Sequence, residues 1–224
     1  MITVNVEVNR GRQRFSAAHE LGHWLRDAGQ VALLCQPESA FDSSGPNPET
    51  RANEYASELL LPRFMFEQRC ANKPITFESV ATLADAFQTS VTATAIRLVE
   101  LGSFPAILVC TQGKKLWFRQ GPEVPTSLWP HAPGKTTFAA DVVRGTATSG
   151  SGNVYVDEWL SGAESRHSVH EDSCRIGDES VLTLLWWSAR SRKLANEMKG
   201  VLLDDQIGVT TTKSPAVRPK FRRP

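Results

Sequence analysis

The chain has 224 residues, with 25 Lys+Arg against 24 Asp+Glu and a hydrophobic share of 41%. So even a balance gives no basis for a nucleic-acid or acidic-membrane partner held by net charge, and no run approaches the ~20 apolar residues of a membrane span. Cys35, Cys70, Cys110 and Cys174 are far apart with no C-x-x-C pair, which argues against a disulfide framework and a cysteine zinc site.

The opening "MITVNVEVN" lacks the basic start and apolar stretch of a secretory signal, so a reduced, cytoplasmic setting is expected. Ile2, Val4, Val6 and Val8 alternate with polar residues, the period of a half-buried strand. "NRGR" is expected to turn the chain, and Ser16 to cap a helix over residues 17–28 that ends before Gly29. "VALLCQ" reads as a second strand and "PESAFDSSGPNP" as a loop. Asn47 then caps a second helix, with Pro48 at its first position and Pro62 beyond its end.

"TFESVATLADAFQTSVTATAIRLVELG" reads as two helices broken near "QTS" and ending at Gly102. Val80, Leu83, Ala84 and Phe87 line one face of the first; Ile96, Leu98 and Val99 serve the second. From Phe104 onward "AILVC", "KLWFR", "NVYVDEWL" and "SVLTLLWW" are strand-like, separated by Gly/Pro/Ser-rich loops such as "SGSGN". Trp186 and Trp187 are expected to supply core and rim. "TTTKSPAVRPKFRRP", with Lys213, Arg218, Lys220, Arg222 and Arg223, reads as a disordered basic tail. The fold class is α+β, divided at residues 1–70, 71–103, 104–203 and 204–224.

The chemistry sits in "HELGH". On a helix, His19 and His23 share a face and can aim both imidazoles at one point. Glu20, rotated by about 100°, can reach a molecule bound there without ligating. Two histidines and one further protein ligand, with a position left open for water, make a catalytic zinc site. Two histidines on an ordinary helix are the competing reading. Gly22 counts against it, because a mid-helix glycine costs about 0.5–1 kcal/mol and implies close approach to the backbone.

The second helix offers the third ligand. Its apolar face is Ala52, Ala56, Leu59 and Leu60, and Glu49 and Asn53 fall on that face, while Glu54 and Glu58 share the solvated side with Arg51. A carboxylate on an apolar face needs a partner, which makes Glu49 the expected third ligand. Asn53, one turn on, is placed to hold a ligand histidine by its other ring nitrogen.

"RFSAAHELGHWL" followed by "ETRANEYASELLLP" resembles the ImmA/IrrE family of metallo-endopeptidases, through Arg12 or Arg14, Phe15, Ala18, His19, Glu20, Leu21, Gly22 and His23, then Glu49, Ala52, Asn53, Ala56, Leu59, Leu60 and Pro62. Tyr55 stands where that pattern has Phe. The resemblance implies a small zincin-like unit of two helices on a short sheet, then a helix-turn-helix-like hairpin and a C-terminal α+β, GAF-like sensory domain. It implies Zn2+ as the cofactor, Mn2+ being the alternative. It also implies an endopeptidase that cleaves a cytosolic helix-turn-helix repressor, with Glu20 moving the proton of the attacking water.

For the oxyanion, Tyr55, His131, His167 and His170 are all conceivable donors, and the role stays unassigned. The helix "VTATAIRLVELG" has one Arg and one Glu, which favours packing or protein contact over DNA contact. The second functional class is a DNA- or protein-binding regulator with a structural or vestigial metal site. Glu20 argues for the enzyme, since a structural site has no use for an uncoordinated carboxylate beside its ligand.

Overall fold

A computed structural model describes residues 9–26, 47–112, 115–161, 167–177 and 180–188. The strands expected at 2–8 and 31–36, the loop as far as residue 46, Gly29 and the basic tail lie outside these residues.

Helix α1 spans Arg10–Arg26, beginning well before Ser16. Asn9 is what starts it: its Oδ1 accepts the Arg12 amide at 2.9 Å, and its carbonyl accepts the amides of Arg12 and Gln13. "NRGR" is therefore a helix start and not a turn. Gly11 is there for space, because a Cβ on it would lie 2.5 Å from the carbonyl carbon of Thr89.

Helix α2 spans Pro48–Leu60, with the Asn47 side chain accepting the Glu49 amide and Pro48 at the first turn as expected. An unanticipated helix α3, Arg63–Cys70, follows directly and buries Phe66 and Cys70. Helices α4 (Phe77–Phe87) and α5 (Val91–Leu101) match the expected pair. Thr76 and Ser90 cap them with side-chain oxygens, and Gln88 breaks the run in the left-handed region at φ 56°.

The remainder is built on an antiparallel sheet. Its strands are β1 (Ala106–Gln112), β2 (Lys115–Gln120), β4 (Ser149–Tyr155), β6 (Ser168–Ile176) and β7 (Ser180–Trp186), in the order β2-β1-β7-β6-β4. Strands β3 (Trp129–Pro130) and β5 (Leu160–Ser161) form a separate two-stranded ribbon. Helix α6 (Phe138–Arg144) precedes β4. The α+β class holds.

β1 and β7 are buried on both faces, which explains their near-continuous apolar runs. Leu108, Cys110, Leu182 and Leu184 pack against Phe66, Val80, Leu83, Leu98 and Val99 of α3–α5. On the other face Ile107, Val109, Val181 and Leu185 pack with Val142, Trp159 and Trp187. Trp187 is core and Trp186 partly covered, as expected.

Two strands escape the hydrophobic pattern. "SGSGN" lies inside β4; a Cβ at either Gly150 or Gly152 would come within 2.8 Å of the Phe138 ring, so the glycines seat an aromatic of α6. β6 is rich in polar residues, yet Glu171 and Ser173 within it are fully buried. Glu171 accepts from the Ala139 amide (2.6 Å), the Ser173 hydroxyl (2.8 Å) and the Trp159 indole (3.0 Å), so the carboxylate is satisfied. Among the described residues, no helix is long and apolar enough to cross a membrane.

Candidate metal centre

Helices α1 and α2 lie against each other because Gly22 leaves room for the α2 backbone. A Cβ there would be 3.1 Å from Ala52 Cα and 3.2 Å from both the Ala52 carbonyl oxygen and Tyr55 Cβ. The close approach inferred from Gly22 is thus α2 itself.

That packing brings one turn of each helix to a common point. His19 Nε2 and His23 Nε2 are 3.0 Å apart, with their rings nearly perpendicular at 84°. Glu49 reaches both, through Oε2 to His19 Nε2 at 3.2 Å and Oε1 to His23 Nε2 at 3.3 Å. Ligands held at about 2.0–2.1 Å around a tetrahedral ion stand roughly 3.3–3.4 Å from one another. The histidine–histidine separation is a few tenths of an ångström below that edge length, and each histidine nitrogen lies near it from a different oxygen of the Glu49 carboxylate. Two imidazole nitrogens and a carboxylate are also a donor set that suits a divalent metal. Among the described residues, His19, His23 and Glu49 are the group of His, Cys, Asp and Glu able to hold one.

Asn53 lies beside this group, 2.9 Å from His19 Nδ1 through its Oδ1. An amide oxygen only accepts, so Nδ1–H donates and Nε2 is left bare for the metal side. His23 is buried, whereas Glu20 is exposed on the next position of α1 after His19.

Two expectations about α2 need correction. Glu49 is not buried; its side chain is 53% exposed, and its first-turn position is what turns it toward the histidines. Leu59 is 48% exposed, so the buried stripe consists of Pro48, Ala52 and Ala56. Glu58 is exposed as expected, but it also reaches across to pair with Arg97 of α5. Partial burial pushes its carboxyl up, but the Arg97 guanidinium and the amide and charge of Arg63 together outweigh this and hold it below its ordinary value.

Two further arginines bear on the site and gave no periodic signal. Arg14 donates through Nη1 to the carbonyls of Phe87 (3.0 Å) and Gln88 (2.7 Å) at the end of α4. Arg97 is buried and donates through Nε to the Leu61 carbonyl at 3.0 Å. The candidate oxyanion donors scatter. Tyr55 sits at the α1–α2 contact, His131 contacts the carbonyls of Ala132 and Asp157, and His170 packs edge-on against Trp186. His167 directly precedes β6.

A helix pair presenting two histidines and a carboxylate in this geometry defines a metal-capable site of the H-E-x-x-H kind. Residues 1–99 match the model of the IrrE N-terminal-like domain, a peptidase family, which supports the resemblance of this part of the chain to the ImmA/IrrE family. None of the curated proteins matches the chain. Among solved structures, a Mycobacterium tuberculosis transcriptional regulator is similar, with a TM-score of 0.50 at 14% identity, over 82% of this chain and 66% of that one. At that identity the likeness is one of fold, and the chain spans about two thirds of that regulator's length.

Proposed function

We propose that the protein is a zinc-dependent endopeptidase that cleaves a cytosolic regulatory protein, a helix-turn-helix repressor being the substrate class. The observation that carries this reading is the convergence of His19 Nε2, His23 Nε2 and the Glu49 carboxylate within 3.0–3.3 Å of one another, with Glu20 next to the first ligand. The match of residues 1–99 to the model of a peptidase family supports it.

His19, His23 and Glu49 would hold the ion, and Asn53 would fix the His19 tautomer. Zinc bound there would supply Lewis acidity toward the scissile carbonyl and toward a water whose pKa falls to about 7. Glu20 takes the proton of the attacking water and returns it to the leaving amine. The α1–α2 contact keeps the three ligands on two rigid helices, so binding a substrate need not first assemble them.

The other functional class, a DNA-reading regulator, would use α5 as its reader. Its arginine, Arg97, is buried and committed to Leu61 and Glu58, which leaves α5 poorly equipped to meet phosphates. The antiparallel sheet beyond Phe104 fits a sensory, GAF-like role in controlling the site. The test is co-expression with candidate repressors from the same genome, wild type beside Glu20→Gln. Discrete repressor fragments with wild type alone are expected. Fragments that persist with Glu20→Gln, or repressors that stay intact throughout, would remove the reading.

A further inference from the structure

The metal ligands come from two helices, so their spacing depends on how α1 and α2 are held relative to each other. Gly22 sets how near the helices come and the His19–Asn53 contact ties them at the site, but the ends of both helices away from the ligands are held by other elements. Each helix has a second anchor, and both anchors are on the α4–α5 pair.

On α1 the anchor is Arg14, whose guanidinium donates to the Phe87 and Gln88 carbonyls at the C-terminal end of α4. Those carbonyls are the negative end of that helix, which favours a cation. Gly11, on the same half of α1, is pressed on the α4–α5 turn, 2.5 Å and 2.6 Å separating its notional Cβ from Thr89 C and Ser90 N. On α2 the anchor is Arg97, reaching from α5 to the Leu61 carbonyl and Glu58 at the opposite end of α2 from Glu49. The turn between the anchors is itself fixed by the Thr89–Thr94 hydroxyl contact of 2.8 Å. Val80, Leu83, Leu98 and Val99 seat the pair on the sheet.

We propose that the α4–α5 pair is a clamp for the metal centre, in which Arg14 and Arg97 are positioning residues that hold the histidines of α1 in register with Glu49 of α2. The proposal rests on the reading of that site as a zinc site. It gives the hairpin a task in place of DNA contact. It also gives the sheet a mechanical connection to the metal helices.

The test is zinc affinity of the full chain, by chelator competition, together with the absorption spectrum of the Co2+-loaded protein and a thermal melt of each variant. Arg14→Ala and Arg97→Gln are expected to lose about tenfold in affinity, the low end of the loss seen when a direct partner of a metal ligand is removed, since both act through the helices. Their Co2+ spectra should change in shape or intensity as the coordination geometry loosens. Arg14→Lys should regain most of the loss, because an ammonium can still donate to both carbonyls. Val142→Ala, a core change on the far face of the sheet, should lower the melting temperature and leave zinc affinity and spectrum as in wild type. Should Arg97→Gln fail to fold, Arg14→Ala and Arg14→Lys decide the matter alone. Wild-type affinity and spectra in folded Arg14→Ala would overturn the clamp. A wild type that binds no zinc would remove the metal reading and the clamp with it.

Discussion

His19 of α1 and Asn53 of α2 meet at 2.9 Å, imidazole Nδ1–H to amide oxygen. The contact selects one tautomer of the histidine and aims Nε2 at His23 and Glu49. Asn53→Ala should therefore weaken zinc binding by about 10–100-fold, the usual loss when a partner of a ligand histidine is removed. Asn53→Asp, which keeps an acceptor, should lose far less. Chelator competition ranks the two; equal affinities for wild type and Asn53→Ala would show that the contact does not orient His19.

Gly22 supports a prediction about packing. A methyl group there meets Ala52 Cα at 3.1 Å and the Ala52 carbonyl oxygen at 3.2 Å, and backbone atoms cannot swing aside. Alanine is the better helix former by about 1 kcal/mol, but overpacking of this kind costs about 1–3 kcal/mol. Gly22→Ala should be destabilised on balance, by about 1 kcal/mol, and should bind zinc more weakly because α1 and α2 are wedged apart. Denaturant melts of the metal-free protein measure the first effect. A variant as stable as wild type with full affinity would mean that the helices have slack.

Asp172 of β6 accepts the Phe77 amide at 2.7 Å, at the start of α4. Burial raises its pKa, outweighing the Phe77 amide and the nearby His170, which both lower it. A carboxyl raised in the folded state binds more protons folded than unfolded in the window above its ordinary value. Stability from this group is therefore greatest at acid pH and is lost as pH rises through that window. Asp172→Asn keeps an acceptor for Phe77 and carries no charge. Its stability relative to wild type should rise with pH across the window and then level off. A difference that shrinks with rising pH would reverse the assigned sign.

The sequence made some of this legible because the relevant constraints are local. The "HELGH" spacing, the Asn47–Pro48 helix start and the α4–α5 periodicity each lie within a few residues. Glu49 and Asn53 were reachable because they lie a turn apart on the side of α2 that meets α1, although both side chains are exposed and not buried as the apolar pattern implied. What escaped depends on partners distant in the chain. Asn9 starts α1, but Gly11 looks like a turn until Thr89 and Ser90 are seen against it. The glycines of β4 look like a loop until Phe138 fills their space. β6 looks too polar for an interior strand until Ala139, Trp159 and Ser173 satisfy Glu171. Arg97 sits on an ordinary helical pattern, and nothing nearby announces that it binds the end of α2.

The central claim, that the histidines and Glu49 hold the ion while Glu20 does not, is tested most directly by zinc stoichiometry. Wild type, Glu20→Gln and Glu49→Gln would be dialysed against the same dilute chelator and their metal content measured by mass spectrometry. The account predicts about one zinc per chain in wild type and in Glu20→Gln, and a large loss in Glu49→Gln. Zinc lost from Glu20→Gln but retained by Glu49→Gln would contradict it.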